Sequence, residues 1–102
     1  MSEWVTVAKV GEIEEGRGGT FTVGDRLVAV FLSQAQYHAI DDLCPHMGAS
    51  LGAGEVHGGC VVCPWHAWRF RVNDGCWADN PKLKIDAFEV RVVGEEIQVH
   101  VT

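Results

Sequence analysis

Positive charge is scarce in this chain: eight Lys and Arg stand against 14 Asp and Glu, for a formal net charge of −6. So acidic a chain does not neutralise a phosphate backbone, which argues against nucleic acid as a partner. Long apolar runs are missing too. The longest, residues 27–32, falls far short of the roughly 20 residues that cross a bilayer, and Met1-Ser2-Glu3-Trp4 offers neither a basic nor an apolar leader. No membrane contact and a cytoplasmic location are therefore expected. Only 3 prolines accompany 12 glycines, a balance that indicates many tight turns rather than a disordered chain. No segment keeps helical periodicity beyond about one turn, and there is no repeat, linker or low-complexity tract. Residues 1–102 read as one domain. Cysteine is limited to four residues, which without a secretory signal read as metal ligands or free thiols rather than a disulfide framework.

What is present is strand. Short runs rich in Val, Ile, Phe and Trp recur between turn residues, so the fold class is all-β. Strands are expected over residues 4–10, 20–23, 27–33, 36–41, 60–62, 68–72, 76–77, 85–93 and 97–101, with one helical turn at 11–15 before the Gly16-Arg17-Gly18-Gly19 break. The unbroken run at 27–32 predicts burial on both faces. By contrast, Phe88, Val90 and Val92 alternate with Glu89 and Arg91, which predicts one buried face. Between residues 42 and 59 the alternation disappears and Gly48, Gly52, Gly54, Gly58 and Gly59 interrupt the chain, marking a loop region suited to function.

Two short motifs flank that region: Cys44-Pro45-His46 and Cys63-Pro64-Trp65-His66, with residues 47–62 between them. Two thiolates and two imidazoles on short loops converge only if the loops face one another as a clamp. Pro45 and Pro64 each fix φ and remove a backbone donor beside a ligand cysteine, while Gly48 and Gly52 relax steric limits nearby. A Cys2His2 set is also an ordinary tetrahedral zinc site, so a non-redox structural zinc module is the alternative from another class. The one-residue spacing of the first pair and the lack of a helix after the second disfavour it. Cys60 forms a C-x-x-C with Cys63 but lacks the βαβ setting of a redox motif, so Cys60 and Cys76 read as core thiols. His38, His57 and His100 read as surface or turn residues. Trp4 and Trp77 read as packing residues, and Trp65 and Trp68, which bracket His66, as shields for the site. The glycines at 16–19 have no strand-to-helix setting for a phosphate loop.

Cys44-Pro45-His46-Met47-Gly48 with Cys63-Pro64-Trp65-His66, flanked by Asp41-Asp42-Leu43 and Trp68-Arg69-Phe70, resembles the paired motif of the Rieske [2Fe–2S] family, and the resemblance covers nearly the whole chain. It implies a Rieske fold of three stacked antiparallel β-sheets, with cluster-binding loops at about residues 43–52 and 60–70 forming one tip. It implies one [2Fe–2S] cluster, with Cys44 and Cys63 on the inner iron and His46 and His66 on the outer. Imidazoles in place of two thiolates make reduction electrostatically easier: potentials run from about −150 to +300 mV, against about −400 mV for plant-type ferredoxins. High-potential members add a disulfide between the loops and Ser and Tyr hydroxyls donating to the cluster. Ala49, Trp65, Trp68 and Phe70 occupy those positions here, which implies the low end of the range.

The resemblance further implies a soluble electron carrier that is not catalytic on a substrate by itself. Its partners would be a reductase and a terminal oxidoreductase docking at the cluster tip, where no charged residue lies between Leu43 and Gly54 or between Gly58 and Trp68. Contact there is expected to be apolar and small, with the acidic remainder of the surface suited to a basic partner. Cys-Pro-Trp-His followed by Ala67-Trp68-Arg69-Phe70, together with Asp79-Asn80-Pro81, is most similar to the small subunit of assimilatory NAD(P)H nitrite reductase. It departs at Ala67, where glycine is usual, and at Arg71, where an acidic residue is common. The ferredoxin component of aromatic-ring dioxygenases is the alternative, and a stand-alone ferredoxin the third.

Overall fold

The computed structural model describes residues 3–43, 50–63 and 68–101. Their regular structure is β1 (Glu3–Lys9), β2 (Gly18–Val23), β3 (Arg26–Ser33), β4 (Gln36–Asp41), a 3-10 turn (Leu51–Ala53), β5 (Val56–His57), β6 (Cys60–Val62), β7 (Arg69–Arg71), β8 (Cys76–Trp77), β9 (Asn80–Lys84), β10 (Ala87–Val93) and β11 (Glu96–Val101). Among the described residues no helix is long and apolar enough to cross a membrane.

All the strand ladders are antiparallel. One sheet has the order β1-β11-β10-β4-β3-β2 and the other β5-β6-β7-β8-β9. In the six-stranded sheet β10 serves two ladders. Its first residues, Ala87 and Phe88, pair with Ile40 and Ala39 of β4, while Glu89 to Val93 pair with β11. Two of the three expected sheets are therefore joined through one strand, and the third stands apart.

The run in β3 explains the layering. Val28 and Val30 enter a core with Ala8, Val23, Ala39, Ile97 and Val99, whereas Ala29 and Phe31 face a second core with Leu51, Val61, Cys63 and Phe70. Burial on both faces of β3 follows from its place as a wall between two cores, and β4 divides the same way at Ala39 and Ile40. In β10 the expected alternation fades toward the end, because Val92 is 47% exposed although Phe88 and Val90 pack on the core.

The expected helical turn at 11–15 is instead a pair of turns. Glu12 N–H donates to Lys9 O (3.1 Å) and Arg17 N–H to Glu14 O (3.0 Å), with Gly11 at φ +99° inside the first of them. A residue in that left-handed region stops helix propagation. Strands β5 and β9 were not expected from the sequence. Both are edge strands, β5 with only two residues and β9 with Pro81, which lacks an N–H and is tolerated where no neighbour needs one.

Candidate metal centre

The described residues that flank each motif are joined by backbone bonding, which forms a neck at each. Leu43 and Ser50 form an antiparallel bridge, and Leu51 N–H donates to Asp42 O (2.7 Å), which ties together the two ends of segment 44–49. Across the second neck Cys63 N–H donates to Trp68 O (2.7 Å), continuing the β6–β7 ladder and bracketing 64–67. The necks are neighbours. Val62 N–H donates to Glu55 O (3.1 Å), so the chain leaving the first loop runs beside the strand entering the second, and Leu51 and Cys63 share one core cluster. A Cβ on Gly54 would strike Val62 O, so glycine permits this close approach.

Of the four expected ligands, Cys63 is placed by the structure. Cys44, His46 and His66 lie outside the described residues, as do Met47, Gly48, Ala49 and Trp65. The Cys63 thiol is 1% exposed and makes no disulfide. Cys60 and Cys76 are also free but only half-buried, which corrects their reading as core thiols. A buried thiol at a loop mouth beside a second, equally constrained loop suits a metal ligand on the protein side of a bound group. The placed donor and the two adjoining necks thus fit a metal-sulfur group held between loops.

The first neck is anchored by a residue that sequence reasoning noticed only as a flank. Asp42 is 1% exposed, and its Oδ1 accepts hydrogen bonds from Thr20 Oγ1 (2.9 Å), Ser50 Oγ (3.0 Å) and Gly52 N–H (2.8 Å). One carboxylate oxygen thereby ties β2 to the far side of the loop. Its neighbour Asp41 secures the near side, accepting from Leu43 N–H (3.1 Å) while Arg26 reaches both Asp41 (3.2 Å) and Asp86 (2.9 Å). The signal available in sequence was the pairing of a carboxylate with Ser50 and Gly52 across a charge-free loop.

The second neck is backed by aromatic rings. Trp68 stacks on Trp77 with centroids 4.1 Å apart and an interplanar angle of 15°, and lies 6.4 Å from Phe70. Phe70 and Trp77 are cross-strand partners, so these rings occupy the inner face of the second sheet. Trp77 Nε1 is buried without a hydrogen-bond partner among the described residues. No hydroxyl is present at 68 or 70 to donate into the site.

The other histidines take no part in these necks. His57 reaches Glu55 (3.2 Å) on the surface, and His100 stacks on Trp4 at 4.9 Å. His38 is half-buried, and burial holds its imidazole below the ordinary value. Two open depressions, of about 380 and about 300 Å³, are lined by Ala35, Tyr37 and Arg91 and by Gly54, His57 and Val62 respectively; neither is an enclosed substrate chamber.

The model of the Rieske [2Fe–2S] domain family matches residues 3–99. The ferredoxin component of the alkene monooxygenase system of Xanthobacter autotrophicus is 29% identical over 98 residues, covering 95% of this chain and 80% of that protein. Among solved structures, the assigned NADH-dependent nitrite reductase small subunit of Mycobacterium tuberculosis superposes with a TM-score of 0.89 at 27% identity, covering 100% of this chain and 97% of the other. A ferredoxin solved in complex with the reduced oxygenase of carbazole 1,9a-dioxygenase superposes with a TM-score of 0.84 at 32% identity, covering 94% and 91%. In several longer curated relatives the match spans only 16–19% of their length.

Proposed function

The chain belongs to the Rieske [2Fe–2S] domain family, and on that premise we propose that Cys44, His46, Cys63 and His66 hold its single cluster and that it works as a low-potential one-electron carrier. It is a Rieske ferredoxin-like electron-transfer domain related to nitrite reductase small subunits and to oxygenase ferredoxins. The observation that carries the ligand reading is the pair of adjoining necks, Leu43 with Ser50 and Cys63 with Trp68, each closing a loop with one cysteine and one histidine. The bound cluster supplies a reversible one-electron acceptor. The protein's part is to desolvate it on the core side, through Cys63 and the Trp68–Trp77 wall, and to leave it short of hydroxyl donors, which favours a low potential.

Partners would dock at the loop tip, where Leu43 is 46% exposed and the loops carry no charge. A nitrite reductase-like system is the leading assignment, supported by the Cys-Pro-Trp-His and Asp79-Asn80-Pro81 strings and by the high structural overlap with a small subunit of that kind. Identity to the carbazole dioxygenase ferredoxin favours the second reading, a ferredoxin feeding a ring-hydroxylating oxygenase. Purified protein should be reddish-brown, with two irons and two acid-labile sulfides per chain and a Rieske-type EPR signal after reduction. A colourless protein binding one zinc would establish the structural zinc module instead.

A further inference from the structure

Asp42 is a charged residue inside the molecule, 1% exposed, in a chain whose other described buried polar residue is Ser33. Its described bonding partners, Thr20, Ser50 and Gly52, are neutral donors. The described arginines that form ion pairs do so elsewhere: Arg17 with Glu55, Arg26 with Asp41 and Asp86, Arg69 with Asp79, and Arg71 with Asp74. Burying an ion without a counter-ion is costly, and holding the loop does not demand it. An asparagine would serve as anchor, since its amide oxygen accepts from the same three donors.

The position explains what the charge adds. Asp42 precedes Cys44 by two residues, so their Cα atoms are at most about 7 Å apart. Resting on the ligand reading above, we infer that Asp42, besides anchoring the 44–49 segment, keeps a buried negative charge beside the cluster and so holds its reduction potential down. Reduction adds one electron and thus one negative charge, which a fixed anion opposes. At an effective dielectric of about 20, a unit charge on the order of 10 Å away shifts a one-electron equilibrium roughly tenfold. The low potential then has a cause besides the missing hydroxyls: a carboxylate whose charge is softened by three donors and offset by no described cation.

Two variants of the full-length holoprotein, titrated potentiometrically at neutral pH, test this with opposite signs. Asp42→Asn keeps the acceptor and removes the charge, so the potential should rise, on the order of tenfold in the equilibrium constant against a reference couple. Thr20→Val keeps the charge and removes one donor that softens it, so the potential should fall. Simple loosening of the loop moves both variants the same way. A folded Asp42→Asn protein with an intact EPR signal and an unmoved or lowered potential overturns the inference. If that variant fails to assemble the cluster, Thr20→Val decides alone: a fall supports the inference, and no change or a rise overturns it. Wild-type protein without any iron-sulfur signature would count against the ligand reading instead.

Discussion

A methyl group at position 52 would press on Thr20 Oγ1 and lie 2.9 Å from Asp42 Oδ1 and 3.0 Å from the carbonyl carbon of Gly19. The clash is with the Thr20 hydroxyl, which Asp42 holds, with the anchoring carboxylate and with backbone rather than with a free side-chain end, so little can yield. Gly52→Ala should cost about 1–3 kcal/mol, the usual range for overpacking a filled site. Chemical denaturation should show a lower midpoint at unchanged slope, and a midpoint equal to wild type would mean that this side of the loop gives freely. Gly24 and Gly94, by contrast, have open space around them and are glycines because of positive φ. In the sequence all three read alike. Steric relief near the cofactor was the expected role of Gly52, and its nearest neighbours turn out to be the anchors of the loop.

The turn between β3 and β4 places Gln34 and Ala35 at φ +54° and +63°, a conformation that favours glycine or asparagine. Glu15, far back in the chain, compensates: its carboxylate accepts from both Gln34 N–H (2.8 Å) and Ala35 N–H (3.0 Å). The hydrogen bonds from Ala35 and then Gln34 lower the Glu15 pKa. A carboxyl whose folded pKa is depressed stabilises above its unfolded pKa and loses that contribution as pH falls through the folded value. Glu15→Gln should therefore be less stable than wild type at neutral pH, with the gap closing in acid below the carboxylate range. Parallel unfolding curves at neutral and acid pH check this, and a gap independent of pH would contradict the clamp. Contacts of this kind explain what the sequence hid. Strands β3 and β4 were legible because their apolar pattern is local, and the family motif because each Cys and His pair sits within a few residues. Thr20 with Asp42 and Glu15 with Gln34 meet only through strand pairing, while β5 and β9 are short or proline-bearing edges with little pattern to read.

Taken whole, the molecule is two cores sharing the β3–β4 wall, with the core behind the second sheet ending at Leu51 and Cys63, where the two loop necks lie side by side. That arrangement joins the described residues on either side of each motif by backbone hydrogen bonds, next to the ladders of the two sheets. The proposed electron transfer depends on mixed thiolate and imidazole ligation by Cys44, His46, Cys63 and His66. Pulsed EPR of the reduced holoprotein reads it directly through nitrogen couplings. Couplings from two histidine nitrogens are expected, one lost in His46→Cys and the other in His66→Cys, each variant that still assembles a cluster showing a lower potential because a negative ligand replaces a neutral one. A cluster without histidine couplings, or couplings that survive both substitutions, would contradict that ligation.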